Sequence, residues 1–585
     1  MKLRFFLALV LSQLLTVTAV FGTATVKFAN PVPYNGGSWG TNYVVAADLT
    51  GDGCPDMIVA NGGGVAVRLN NCDGTGTFGP PVVYSPAGYT AFAVAVGDVN
   101  NDGIPDLVET NYCDLSCSHG TVGVLIGNGD GTFKPAVSYD AGGIDTRAVV
   151  VGDVNKDGWN DIVVTSGCQV ETCVDGSIRL LLNNGDGTFN LVPFPISPSL
   201  GGPLAIGDMN GDGNLDLVAD VGVLLGNGDG TFQQPLGHVP GGTISIAIAD
   251  VNRDGIMDLV VADQVSVLVK LGIGDGTFQP IVSYDAGIRP FWVAVADFNG
   301  DGNLDIAVAN ECSAEIINNI LCPDPKITGA VGVFPGKGDG TFNPDLIYAS
   351  GADLATSVAV ADVNGDTKPD ILVSNACSDG ACINGTIGVL LNIFKAVTSI
   401  NVSSNMNPSA VNQPVTLTAT IVSQVPIPDG SSVTFSNANG TIGTGTTVGG
   451  VATLNFTFLF TGTKTITATF PGDIYHNAAT SGTFTQTVTL WPSTTMVTAN
   501  PSTSTYATPV TFTATVSSGA PGGATGMVTF TNTTSGLVFG TVPLSGGVAV
   551  WTAPHPRLGT STIKAAYSGD SQSAASSGTT LITVN

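Results

Sequence analysis

The sequence predicts an all-β chain: a seven-bladed β-propeller followed by two immunoglobulin-like β-sandwiches. Three observations predict it. The pattern Asp-x-(Asn/Thr)-x-Asp-(Gly/Thr)-x-x-Asp is written seven times, beginning at Asp48, Asp98, Asp153, Asp208, Asp250, Asp297 and Asp362, at intervals of 42 to 65 residues. The copies sit among short Val-rich runs of period two and Gly-Asp-Gly turns, which is strand grammar. From about Ala396 the composition shifts to Thr, Ser, Val and Gly, and a unit of about 95 residues is written twice.

Residues 1–24 read as a secretory signal. Lys2 and Arg4 precede the apolar stretch Phe5 to Val20, and Gly22-Thr23-Ala24 offers small residues for cleavage. An uncleaved anchor is the alternative, but the stretch is short for a span of about 20 residues. No later segment is long and apolar enough to cross a membrane, and the first cysteine, Cys54, lies far from any lipid-attachment position. The expected product is a soluble monomer, secreted to the extracellular space or held at the cell surface.

Residues 25–394 carry the repeats. In the sixth, Phe291-Trp-Val-Ala-Val-Ala leads into the acidic loop at Asp297, and Asp305-Ile-Ala-Val-Ala-Asn310 follows it. A cysteine-bearing loop, Val331-Gly-Val-Phe, the turn Gly338-Asp-Gly-Thr-Phe342 and a last run to Tyr348 complete the unit. Four short strands per repeat are the grammar of propeller blades. The turn recurs from Gly129, Gly185, Gly228 and Gly274, with the variant Cys72-Asp-Gly-Thr-Gly-Thr-Phe78 in the first repeat. Asp-Gly is a hairpin dipeptide, so these Asp residues read as turn formers and the Phe residues as core. The seventh repeat lacks both turn and fourth strand. Val26-Lys-Phe-Ala-Asn-Pro-Val-Pro-Tyr34 matches the missing piece, so residues 25–34 are expected to supply the outer strand of blade seven and close the ring.

Ten cysteines fall as five close pairs: Cys54/Cys72, Cys113/Cys117, Cys168/Cys173, Cys312/Cys322 and Cys377/Cys382. An even count in an exported chain argues for disulfides, with pairing inside each repeat closing the smallest loops. Zinc is the weaker reading, because His119, His238, His476 and His555 show no ligand spacing with these cysteines.

Oxygen side chains at loop positions 1, 3, 5 and 9, with Gly at 6 for a sharp turn, suit a hard cation such as Ca²⁺. The candidate ligands are Asp48, Thr50, Asp52 and Asp56; Asp98, Asn100, Asp102 and Asp106; Asp153, Asn155, Asp157 and Asp161; and Asp208, Asn210, Asp212 and Asp216. The last three loops offer Asp250, Asn252, Asp254 and Asp258; Asp297, Asn299, Asp301 and Asp305; and Asp362, Asn364, Asp366 and Asp370. Up to seven Ca²⁺ are expected, one per blade, and they would cancel about half of the formal net charge of −27. The competing reading is an Asx-turn without metal.

Residues 395–490 and 491–585 are the two sandwich units. Asn407-Pro-Ser and Pro414-Val-Thr-Leu-Thr-Ala-Thr420 align with Asn500-Pro-Ser and Pro509-Val-Thr-Phe-Thr-Ala-Thr515, and Pro471-Gly-Asp473 with Ser568-Gly-Asp570. Alternating strands in units of this length fit an immunoglobulin-like fold. No cysteine follows Cys382, so the cores rest on inward Val, Leu, Ile and Phe.

In the order in which Asp-x-Asn-x-Asp-Gly-x-x-Asp and Gly-Asp-Gly-Thr-Phe recur, the repeats resemble the VCBS/FG-GAP family, the integrin-α-type propeller. The tandem units resemble bacterial Ig-like repeats of surface and secreted proteins. The first resemblance implies Ca²⁺ held by positions 1, 3, 5 and 9, with a backbone carbonyl at position 7. Two copies depart from it: Thr50 stands at position 3 of the first loop, and Thr367 at position 6 of the seventh, where a positive φ strains a β-branched residue. Loops one and seven are expected to bind most weakly, and loops four and six most tightly.

No catalytic residue is singled out: His-Glu-x-x-His, Gly-x-Ser-x-Gly and a phosphate-binding loop with Lys are absent. Basic patches are absent too, which excludes nucleic acid as a partner. The sequence favours a non-catalytic adhesion or ligand-binding protein whose propeller meets an extracellular glycan or protein, with the Ig-like units as a stalk. The alternatives are a polysaccharide lyase or hydrolase on a propeller scaffold and a purely structural spacer. Paired carboxylates serve glycosidases, but an active site is singular and these loops are sevenfold. Ligand contact is expected on the face of inter-blade connections, near Trp39, Tyr89, Arg147, Arg289 and Trp292.

Overall fold

The computed structural model describes residues 26–114, 116–168, 176–192, 201–237, 239, 242–312, 329–377, 384–423, 425–554 and 557–585. The signal reading for residues 1–24 and the partner cysteines Cys173, Cys322 and Cys382 lie outside them. The described residues hold strands and turns and no helix. They form two compact units, one spanning residues 22–396 and the other containing Val397–Asn585.

In the first unit the described residues form seven small antiparallel sheets, six of four strands and one of three. The first sheet is a meander of Thr41–Ala47, Asp56–Asn61, Gly64–Arg68 and Val82–Tyr84. Five later sheets repeat this order. The fourth ends after Gly222–Leu224, where the bridge Val223–Leu236 stands in for a fourth strand. In every sheet the second strand begins at the ninth loop residue, from Asp56 to Asp370.

The seventh sheet joins the two ends of the unit. Asp353–Ala361, Asp370–Cys377 and Thr386–Leu390 come from the last repeat, and Val32–Asn35 pairs outside them, Val32 against Val389 and Asn35 against Thr386. The bridge Phe28–Asn392 extends this pairing. The expected N-terminal outer strand therefore forms, with hydrogen bonds concentrated in its second half.

Apolar clusters between neighbouring sheets make the core. Ile58 and Val67 of the first sheet pack with Val94 and Leu107 of the second, and the same kind of contact links each sheet to the next. Val44 and Val59 then meet Leu372 and Val389, so the first sheet packs on the seventh. Aromatic pairs repeat this link at the rim. Tyr34 meets Phe78, Tyr84 meets Phe133 and Tyr139 meets Phe189, each edge-to-face at 5.5 Å, and Tyr284 meets Phe342 at 5.6 Å. Each Tyr lies at or next to the end of an outer strand, and each Phe closes the turn motif of the next repeat. Phe28 meets Tyr348 at 5.2 Å and so fills the place of the turn Phe that the seventh repeat lacks.

Each Ig-like unit is built from antiparallel strands with one short parallel pairing, Ser409–Ala410 on Val488–Thr489 in the first and Thr503–Ser504 on Thr583–Val584 in the second. Period-two alternation turns Leu417, Phe435, Ile466 and Phe470 into one core, and Phe512, Phe530, Ile563 and Tyr567 into the other.

Candidate functional site

Each acidic loop is built around its first Asp. In the first loop Asp48 accepts backbone N–H bonds from Gly51 at 2.7 Å and Gly53 at 2.8 Å. Asp52 accepts the N–H of Cys54 at 2.9 Å. The fourth loop repeats this: Asp208 takes Gly211 and Gly213, and Asp212 takes Asn214. Such bonding wraps the chain twice through left-handed backbone. Position 6 has φ of 81° at Gly213 and 84° at Gly302, and Thr367 adopts 67° there in the seventh loop. Position 4 is left-handed as well, in Gly51 (73°) but also in Asn101 (55°), Lys156 (59°) and Arg253 (64°). The sequence signalled position 6 and not position 4, because no single residue type marks the latter.

The ninth Asp is of a different kind. Asp56 accepts the N–H of Leu49 with one oxygen and of Asn70 with the other, tying its loop to the end of the third strand. The same two-sided bond recurs in all seven repeats, through Asp106, Asp161, Asp216, Asp258, Asp305 and Asp370. These carboxyls are buried. Burial pushes their pKa up, to about 8 at Asp305, about 7 at Asp370 and about 6 at Asp161, with the carboxylates at positions 5 and 1 adding to the rise. A buried carboxyl facing two more acids is the electrostatic situation that a divalent cation relieves.

Position 7 covers the turn of its own repeat. A methyl placed on the turn glycines would lie 2.4 Å from Asn214 at Gly228, 2.2 Å from Asn303 at Gly338 and 3.2 Å from Ile104 at Gly129. In the first repeat Cys54 holds this position, and its disulfide to Cys72 makes the contact covalent. Cys113–Cys117 cross-links the loop after the second strand of its sheet, and Cys377 is disulfide-bonded. The turn Asp residues behave as turn formers. Asp130, Asp186, Asp229, Asp275 and Asp339 each accept the hydroxyl and N–H of the Thr two residues on, and those bonds lower their pKa.

These loops fit a hard cation in donor type, being all oxygen, and in charge. They do not gather three carboxylates: among the described residues the one cluster of acidic, His or Cys ligand atoms within 4.8 Å of one another is Asp52, Cys54 and Cys72, and both sulfurs are in the disulfide. In the fourth loop position 3 is engaged within the loop, since the Asn210 side-chain carbonyl accepts the N–H of Asp212 and its amide donates to the Asp212 carboxylate at 3.0 Å. Loop seven differs in charge. Its position 7 is Lys368, whose buried ammonium lies 3.1 Å from Asp366.

A family model for FG-GAP-like repeats matches residues 48–109, 115–164, 170–219, 218–261, 250–308 and 320–373, which together cover just over half of the chain. The chain belongs to the FG-GAP-like repeat family. Bacterial Ig-like domains of group 3 match residues 402–489 and 497–585. No curated protein matches. Among solved structures, an Agrocybe aegerita lectin that recognises non-reducing terminal N-acetylglucosamine shares 22% identity over 56% of this chain and 91% of its own, with a TM-score of 0.38. The extracellular domain of a putative one-component system, BT4673, from B. thetaiotaomicron shares 8% over 79% of this chain and 58% of its own, at 0.37. The NanB sialidase of Streptococcus pneumoniae shares 12% over 61% and 70%, at 0.35.

The FG-GAP repeats carry their acidic loops where first strand meets second, and their variable segments at the other strand ends. There Trp39 is 54% and Tyr89 60% exposed. Arg147 is paired with Asp145 at 2.6 Å, and Arg289 with Glu311 at 2.6 Å. Trp292 packs edge-to-face on Tyr43 at 4.7 Å, half-buried, and belongs to the core. An open cleft of about 460 Å³ lies beside Arg289, lined also by Gln264, Val265, Ser266, Ser283 and Asp285.

Proposed function

We propose that this chain is an exported, non-catalytic binding protein whose seven sheets are the blades of a closed propeller. Ca²⁺ bound in the acidic loops stiffens one face, an extracellular glycan or protein binds the other, and the Ig-like units serve as a stalk. The observation that carries the reading is the division of labour within each repeat: the acidic loop is constant, whereas the opposite strand ends vary and expose Trp39, Tyr89 and the cleft beside Arg289. Fixed scaffold with variable loops is the usual layout of a binding surface.

The Asp residues at positions 1, 5 and 9 and the Asn or Thr at position 3, with the carbonyl at 7, would hold the ion. Its chemistry is charge neutralisation and loop ordering, so binding to the folded loop stabilises the unit by mass action. The cleft favours a neutral saccharide over an acidic one. Hydroxyl and amide groups line it, Arg289 is already neutralised by Glu311, and Asp285 together with the formal charge of −27 opposes an anion.

The test is a screen of the mature chain against immobilised neutral and acidic glycans and extracellular proteins, in Ca²⁺ and in chelator. Saturable binding weakened by Trp39→Ala or Asp285→Ala supports the reading. No binding in Ca²⁺ leaves the spacer, and turnover of a polysaccharide by the pure protein establishes the enzyme instead.

A further inference from the structure

The seventh acidic loop departs from the other six at two places that belong together. Position 7, which elsewhere is Cys54, Ile104, Trp159, Asn214, Ile256 or Asn303, is Lys368. The Gly-Asp-Gly-Thr-Phe turn that position 7 covers is absent from this repeat, which runs through Asn392-Ile-Phe-Lys395 instead. The space left by the turn receives the lysine. Its Nζ lies 3.1 Å from the Asp366 carboxylate and donates to the Asn392 carbonyl at 3.0 Å, and its side chain is 5% exposed.

We infer that Lys368 is the resident cation of the seventh loop, so that the ring takes six divalent ions and closes without a metal. This rests on the Ca²⁺ reading of the other loops. A buried ammonium beside Asp366 supplies the positive charge that an ion would bring, and it occupies one of the carboxylate oxygens that a divalent ion needs. Thr367, held at φ 67°, also lacks the freedom of the glycine found at this position in the other six loops.

Placement gives the substitution a purpose. Asn392, whose carbonyl receives Lys368, also bonds Asp370 through its N–H and reaches the carbonyl of Phe298 in the sixth repeat at 2.7 Å through its amide. The same residue bridges to Phe28 of the N-terminal segment, and Ile393 donates to the carbonyl of Lys27. Lys368 thus holds the seam where the two ends of the propeller meet. A covalently attached cation keeps that seam shut at any Ca²⁺ concentration, whereas the six other loops respond to it.

The experiment is the metal stoichiometry of the mature chain by native mass spectrometry and calorimetry with Ca²⁺ alone, beside Lys368→Asn, which restores the residue of loops four and six. Wild type should saturate at six ions. The variant should melt about 4 °C or more lower in chelator, as expected when a buried charge partner is removed. It should take a seventh ion and regain stability in excess Ca²⁺. Seven ions on wild type, or a folded variant that takes no additional ion, overturns the inference. If wild type binds no ion, the Ca²⁺ reading itself falls. The variant in chelator then decides about Lys368, and an unchanged melting temperature removes its role.

Discussion

Removing the ring of Phe28 should test closure without touching a hydrogen bond of the closing strand. Phe28 is 6% exposed and packs edge-to-face on Phe298 at 5.5 Å and Tyr348 at 5.2 Å. Truncating such a buried aromatic to Ala costs about 3–5 kcal/mol. With an unfolding entropy of about 2.1 cal/mol/K per residue, the unit of residues 22–396 has a total near 0.8 kcal/mol/K. Phe28→Ala should therefore lower its melting temperature by about 4–6 °C. Scanning calorimetry in chelator, which removes the metal contribution, is the assay. The control is Phe460→Ala, because Phe460 is 75% exposed in the other unit and should leave the transition in place. A shift of less than about 1 °C for Phe28→Ala would mean that the N-terminal segment lies on the seventh sheet without holding it, and the closure argument would fail.

Glu109→Gln should flatten the pH dependence of stability. Burial raises the Glu109 pKa from 4.5 to about 7, and its Oε2 has no partner among the described residues. The folded state therefore holds this proton more tightly than the unfolded chain. Stability contributed by the protonated group is full below about pH 4.5 and is lost as pH rises through 7, by roughly 3 kcal/mol; the variant should equal wild type at pH 4 and exceed it at pH 8 in urea titrations. Gly336→Ala should prevent folding of the sixth sheet, because the new methyl would lie 2.1 Å from the Leu304 carbonyl oxygen; normal yield and circular dichroism would contradict the register. Opening Cys54–Cys72 with a double Ala variant should cost about 3 kcal/mol, the value for a short cross-linked loop, and should weaken Ca²⁺ binding at the first loop more than at the rest, read as loss of the last ion in the calorimetric titration.

Much of the fold was legible because it is periodic. Seven loops, seven second strands beginning at the ninth Asp, and the match of Val26–Tyr34 to the missing outer strand are all visible in one dimension. The unread parts are those where chemistry depends on a partner far along the chain. Asp370 reads as one more loop acid, yet its carboxyl is set by the N–H of Asn392. Glu109 carries no signal of its own in the sequence, yet it is buried where neighbouring repeats place Val, with Gly123 making the room. Trp292 reads as a face residue and is drawn inward by Tyr43 of the first repeat. Position 4 escaped because Gly, Asn, Lys and Arg share its left-handed backbone.

Lys368 makes the same point from the other side. Read along the chain it is a charged residue in a degraded copy of the motif, and degradation predicts a weak site. Read in three dimensions, the loss of the turn, the loss of Gly at position 6 and the gain of a lysine are one change, since the turn leaves the space and the ammonium fills it. A repeat protein closed by strands from both termini has one seam, and at that seam an exchangeable ion would couple the integrity of the whole ring to Ca²⁺ supply. An ion carried by the chain removes that coupling at the seam alone. Under that proposal the other six loops would stay free to sense the cation, each stiffening a single repeat whose ninth Asp is already anchored to the end of the third strand.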